Sequence, residues 1–137
     1  MPRQTLSQTL IATALLVGIS MLAMAAVVEF YSEDVRSDCL GPNCEIGYAY
    51  QKTWTKVWYD DSARKVVSHT GAARIDSKGL YGYVVKAQRH PDVAGCIGDP
   101  WSGYRWMRTD YDTVDWYFLG IYATTWLTVS AIEVYAC

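Results

Sequence analysis

Phenylalanine is scarce in this sequence, with two residues against six Trp and eleven Tyr. Most aromatic bulk is therefore carried by rings with a polar handle, which suit half-buried strands and wet contact surfaces alike. Basic clusters are missing as well. Net charge is −2 over 137 residues, and no stripe of Lys and Arg exists to neutralise a phosphate backbone, so nucleic acid is not an expected partner. Catalytic signatures are equally thin. There is no G-x-S-x-G elbow and no C-x-x-C, and the histidines number two, His69 and His90. Ser68 and His69 are sequence neighbours, so in a strand they point to opposite faces and make no nucleophile–base pair. Glu45 and Glu133 are carboxylates of the kind a glycosidase uses, but nothing in the sequence sets their separation. No repeat or low-complexity tract interrupts the chain. The expectation is a protein that is not an enzyme and that uses no cofactor and no metal.

What is present points to a compact exported fold. The composition is 51% hydrophobic and 19% charged, the reverse of a disordered chain. Residues Leu10 to Val28 carry no charged side chain, with Arg3 before them and Glu29 after. Ala23-Met24-Ala25 followed by Ala26 fits the small-x-small pattern of a signal-peptidase site. Residues 1–25 are therefore expected to be a signal peptide, or an uncleaved membrane anchor, since the apolar run approaches the ~20 residues that span a bilayer. In both cases Arg3 favours a cytoplasmic N-terminus and places the rest outside, secreted, periplasmic or at the cell surface.

The cysteines are Cys39, Cys44, Cys96 and Cys137. An even count after an export signal reads as two disulfides, for which three pairings exist. Leu40-Gly41-Pro42-Asn43 is turn chemistry that favours Cys39–Cys44, leaving Cys96–Cys137.

Residues 26–44 read as an acidic linker closed by that small cysteine loop, and 45–137 as a disulfide-stabilised β domain. Strands are expected at Tyr48–Tyr59, at Arg64–Thr70 with Ala72–Ile75 continuing it, and at Leu80–Arg89. Asp76-Ser77-Lys78-Gly79 reads as a turn. His90-Pro91 opens a long loop through Gly95, Cys96, Gly98, Asp99-Pro100 and Gly103. Tyr104–Thr109 reads as a strand and Asp110–Asp115 as a turn. Trp116–Ala136 reads as two strands, or one long bent strand, interrupted at Gly120; its threonines and length argue against a second membrane helix. The fold class is all-β, a small antiparallel sandwich or barrel of five to seven short strands.

Two stretches are candidates for binding. Tyr48, Tyr50, Lys52, Trp54, Lys56 and Trp58 share one face at period two. A core in which the lysines snorkel to an edge is the favoured arrangement. If the face is instead exposed, Tyr50, Trp54 and Trp58 are plates for sugar faces or a partner's side chains, with the lysines adding cation–π contacts. The stretch from Asp99 to Trp106 puts Trp101, Tyr104, Arg105 and Trp106 in or beside a Gly-rich loop, the residue types of binding hot spots. Asp110-Tyr111-Asp112-Thr113-Val114-Asp115 looks partly like a calcium loop but lacks its third ligand, central Gly and closing Glu, so a solvated turn is expected. His69 and His90 are expected as satisfied structural residues or surface groups.

The functional expectation is a secreted binding protein that presents Trp and Tyr side chains to an extracellular glycan or protein surface. A small exported toxin acting on a cell envelope and an anchored subunit of an extracellular assembly are the alternatives.

Overall fold

The computed structural model describes residues 26–99 and 101–137, so the expected signal peptide or anchor at 1–25 lies outside the described residues. Six strands follow one another: β1 (Val27–Leu40), β2 (Gly47–Asp60), β3 (Lys65–Gly79), β4 (Tyr81–Asp99), β5 (Gly103–Phe118) and β6 (Ile121–Val134). They form two antiparallel three-stranded sheets, in the orders β1-β2-β3 and β4-β5-β6. The sheets face one another as a sandwich, with β2 and β5 central and the other four strands at the edges.

Several sequence expectations change. The presumed linker 26–44 is mostly β1, which pairs with β2 from Val27↔Asp60 to Leu40↔Gly47. Its acidic residues belong to a strand because Glu29 and Glu33 lie opposite Trp58 and Trp54 and reach Lys56 and Lys52 at 3.7 Å. The presumed turn at Asp76–Gly79 is the end of β3, still in register with β2. The presumed loop after His90 is the second half of β4. Pro91 and Gly95 fall at register shifts, Arg89/Asp92 and Ala94/Ile97, which an edge strand tolerates and which blunt it against further pairing, while Gly98 stays paired with Tyr104. The presumed turn Asp110–Asp115 is the middle of β5. Trp116–Ala136 divides at Leu119-Gly120 into the end of β5 and β6, where positive φ at both residues (54° and 77°) makes the tight connection.

Both disulfides form as the local geometry favours, Cys39–Cys44 and Cys96–Cys137. The first closes the 3-10 turn Pro42–Cys44 between β1 and β2. The second ties the end of the chain to β4.

The interior has three zones along the strands. At one end Val57, Tyr59, Ile132, Val134 and Ala136 form an apolar cluster, with Phe30, Val66 and Trp106 packed on it. At the other, Ala49, Val114 and Trp116 cluster with Ile75, Tyr81 and Trp126. Between them the inward positions are polar: Gln51, Thr53, Thr55, Asp110, Asp112, Thr128 and Ser130, all buried. The β1–β6 side of the sandwich is closed by side chains. Val129 N–H donates to Asp34 Oδ2 at 2.9 Å, and Ser130 Oγ donates to the Ser32 carbonyl at 2.9 Å.

Candidate functional site

The inward face of β2 consists of Ala49, Gln51, Thr53, Thr55, Val57 and Tyr59, so the aromatic face must point outward. This corrects the favoured core placement of Tyr48, Tyr50, Trp54 and Trp58. The physical reason is the buried polar zone: short hydroxyl and amide side chains reach partners on the facing sheet, and large rings take the outside.

On that outer face β2 presents Tyr48, Tyr50, Lys52, Trp54, Lys56 and Trp58, all half-buried. Register with the edge strands sets their neighbours. Trp54 lies between Glu33 and Ala72, Trp58 between Glu29 and Ser68, and Tyr50 between Ser37 and Asp76. Short or polar flanks leave the rings as the relief of the surface. Tyr31 stacks beside Trp54 with centroids 6.2 Å apart, and Tyr48 beside Tyr50 at 6.1 Å. Lys56 Nζ lies 5.6 Å from the Trp58 ring centre and 5.9 Å from that of Tyr31, and the Arg74 guanidinium lies 5.6 Å from Tyr50. From Tyr50 to Trp58 aromatic and cationic rungs thus alternate along one strand, with Trp54 and Trp58 about 13 Å apart at strand rise.

The second candidate stretch does not form one site. Trp101 stands at the β4–β5 connection, 95% exposed. Tyr104 is exposed beside Ala63, Arg64 and Tyr135 at the same end. Arg105 lies 3.7 Å from Glu133 and over the Tyr135 ring. Trp106 points inward, packing on the apolar cluster and against His69 at 5.1 Å between ring centres.

The centre of the sandwich holds a network that the sequence did not disclose. His90 places Nδ1 2.9 Å from Asp110 Oδ1 and Nε2 3.0 Å from Asp112 Oδ1. A carboxylate faces each ring nitrogen, an arrangement that favours the imidazolium form of His90, in which both nitrogens donate, and raises its pKa. Arg108 donates from Nε and Nη2 to Asp110 at 3.0 and 2.8 Å, a bidentate pair. Its Nη1 donates to His69 Nδ1 at 2.7 Å, which requires that nitrogen to be an acceptor and His69 to be neutral. Thr55 donates to Asp110 and Thr53 to Asp112, each at 2.6 Å. Because the Thr53 proton is committed, Thr128 donates to Thr53 at 2.6 Å and accepts from Gln51 at 2.9 Å. Gln51 in turn accepts from Trp116 Nε1 at 2.9 Å. Two positive and two negative charges cancel, and each carboxylate is hydrogen-bonded, which is what makes their burial tolerable. Gly71 completes the fit, since a Cβ there would lie 2.5 Å from Asp110 Oδ1.

This overturns the solvated-turn expectation for Asp110 and Asp112. A usable signal existed in the alternation Arg108, Asp110, Asp112, Val114, Trp116, one strand face that carries charge and then turns apolar. Among the described residues no group of three or more His, Cys, Asp or Glu side chains is arranged to hold a metal ion.

The network gives stability a pH dependence of known sign. For His90, burial acts to lower the pKa but hydrogen bonds and charge from Asp110 and Asp112 outweigh it, and the net shift is upward from 6.5. That stabilisation is full below the unfolded value and is lost as pH rises through the raised one. For Asp110, burial is outweighed by Arg108, Thr55 and His90, and the pKa falls below 3.8, so its contribution is lost on acidification. His69 is lowered by burial and by Arg108, so it too disfavours the fold as pH drops through 6.5. Below the phenol range, where Tyr31, Tyr59 and Tyr81 add their own loss, the decline with rising pH therefore belongs to His90. Urea midpoints measured from about pH 6 to 9 should decline in the wild type, and His90→Gln should flatten that decline. A decline of equal slope in His90→Gln would assign it elsewhere.

A separate cleft of about 400 Å³ opens at the Cys39–Cys44 end, lined chiefly by Leu40, Tyr81, Trp116, Phe118 and Trp126. At its rim the Tyr81 hydroxyl donates to Asp38, a bond that together with burial pushes the phenol up to about 12.

Compared with family models, curated proteins and solved structures, the chain shows no match in any of the three.

Proposed function

We propose that the protein is a non-catalytic binding module, working outside the cytoplasm, that holds a glycan chain on the outer face of its β1-β2-β3 sheet. The observation that carries this reading is the outward ladder of Tyr50, Trp54 and Trp58 interleaved with Lys52 and Lys56 on a single central strand. Sugars offer flat C–H faces to aromatic rings and hydroxyls to charged side chains, and the ladder supplies both along one line. Glu29 and Glu33 beside the lysines add acceptors and keep the face close to neutral, which favours an uncharged polysaccharide over a strongly anionic one. The two disulfides and the apolar N-terminal sequence support an extracytoplasmic location. A binding role also agrees with the chemistry of the interior. Both nitrogens of His90 are committed to carboxylates, and all four cysteines are bridged, so neither group is left for a substrate.

Tryptophan emission titrated with a panel of soluble polysaccharides tests this. At least one should shift the emission, and Trp54→Ala or Trp58→Ala should weaken that affinity by about 2 kcal/mol, roughly 30-fold, if these rings act as hot spots. Because both rings lie outside the core, the variants should keep wild-type circular dichroism. Undiminished affinity in the double variant would remove the ladder from binding.

A further inference from the structure

The end of the sandwich opposite the Cys39–Cys44 turn gathers exposed rings around the point where the chain enters the fold. Val27 pairs with Asp60, and the Ala26 carbonyl accepts from Asp61 N–H at 3.4 Å, so the chain arrives beside the β2–β3 turn. Ala63 and Arg64 of that turn line one shallow cleft with Tyr104, Tyr135, Ala136 and Cys137. Tyr104 follows the β4–β5 connection, which carries Trp101. Entry point, β2–β3 turn, β4–β5 connection and chain terminus therefore share one end.

Three exposed rings stand at that end. Trp101 is 95% exposed, Tyr135 50% and Tyr104 45%. The backbone that carries Trp101 is pinned by Asp99. Asp99 Oδ1 accepts from the backbone N–H of Trp101 at 2.9 Å and of Ser102 at 2.8 Å, and from Ser102 Oγ at 2.9 Å. An indole with so little contact adds nothing to the core, yet the turn beneath it is pinned. Arg64 and Lys65 stand at the same end, exposed.

The second observation is the chain outside the structure. Ala26, the first described residue, lies at this end, and in the sequence Leu10 to Val28 carry no charged side chain. The most apolar stretch of the sequence is thus joined to the fold at the end that displays an exposed Trp on a pinned turn and two Tyr, the residue types that settle at membrane–water interfaces.

We propose that this end docks on a lipid bilayer surface, with Trp101 inserted at the level of the headgroups and Tyr104 and Tyr135 beside it. Acidic Asp60, Asp61 and Asp99 offset Arg64, Lys65 and Arg105, so the contact is aromatic rather than electrostatic and does not need anionic lipid. The β2 ladder then runs away from the membrane, with Trp58 nearest to it and Tyr48 farthest. The docking stands independently of what the ladder binds.

The test uses the full chain, labelled with 5-fluorotryptophan and reconstituted with phosphatidylcholine vesicles. The Trp101 fluorine resonance is identified by its disappearance in Trp101→Phe. A nitroxide placed on the lipid headgroup should broaden the Trp101 signal beyond detection, and a water-soluble paramagnetic chelate should leave it sharp. The Trp54 resonance, on the outer face, should behave the opposite way. Trp101 broadened by the soluble agent and untouched by the lipid nitroxide overturns the proposal, even if the chain is held on the vesicle by its N-terminal segment. Failure of the full chain to associate with the vesicles overturns it as well. Loss of glycan affinity in Trp54→Ala would leave this result unchanged, so the two readings fail separately.

Discussion

Asp110→Ala should lower the stability of the folded domain by about 3–5 kcal/mol, the cost of removing one partner from a buried ion pair. Asp110 is fully buried and takes hydrogen bonds from Arg108, Thr55 and His90. Without it the Arg108 guanidinium, 5% exposed, keeps only neutral His69 as a partner. His90 loses one of the two carboxylates that keep it charged. Small domains have about 5–15 kcal/mol in all, so the variant should sit close to its unfolding midpoint at room temperature. Arg108→Ala should cost a similar amount by exposing the same pair from the other side. The double variant should cost clearly less than the sum, because the two residues share one interaction. Urea denaturation of the three variants forms the cycle. Additive losses would mean that the Arg108–Asp110 contact contributes nothing beyond packing.

Removing the long disulfide, as Cys96→Ala with Cys137→Ala, should cost about 4 kcal/mol on the chain-entropy model, against about 2 kcal/mol for Cys39→Ala with Cys44→Ala. The difference follows from the loops closed, 41 residues apart in sequence for one bridge and 5 for the other. Local packing acts in the same direction. Cys137 anchors the segment after β6, where Ala136 is buried in the apolar cluster and Tyr59 donates its hydroxyl to the Tyr135 carbonyl. Loss of that anchor frees a segment that the cluster needs. The short bridge only reinforces a turn that already holds hydrogen bonds from Cys44 N–H to the Gly41 carbonyl and from Ile46 N–H to the Leu40 carbonyl. Thermal or urea midpoints of the two double variants rank them directly. A larger loss from the short bridge would contradict this account.

Both results concern parts of the molecule that were unequally legible in the sequence. The Cys39–Cys44 pairing was readable because its determinants, a turn and a short loop, are local. The extent of β2 was nearly readable, since alternation and the Asp60-Asp61 break mark it. Its orientation was not. Gln51, Thr53 and Thr55 look like an outer face, and only their partners more than fifty residues away, Asp110, Asp112 and Thr128, turn them inward. Asp110 and Asp112 misled for the same reason: aspartate in a sequence signals turns, and burying it depends on partners at long range such as His90 and Thr53. The second half of β4 was hidden by Pro91 and Gly95, which an edge strand absorbs through register shifts, and by Gly98, which stays paired with Tyr104. Of the residues singled out for binding, Tyr50, Trp54 and Trp58 share one surface, whereas the Trp101–Trp106 stretch is divided between an exposed turn, an outer face and the core.

The proposed role rests on the outer face of the β1-β2-β3 sheet, and one measurement bears on it most directly. Backbone and side-chain NMR shifts of the isotope-labelled protein would be followed during titration with the polysaccharide that most changes its tryptophan emission. The account predicts shifts concentrated on Tyr50, Lys52, Trp54, Lys56 and Trp58 and on their cross-strand neighbours Glu33 and Ala72, with the β4-β5-β6 sheet silent. Shifts centred instead on Tyr81, Trp116 and Trp126 would move binding to the cleft at the opposite end, and a panel that produces no shift at all would contradict the glycan-binding role.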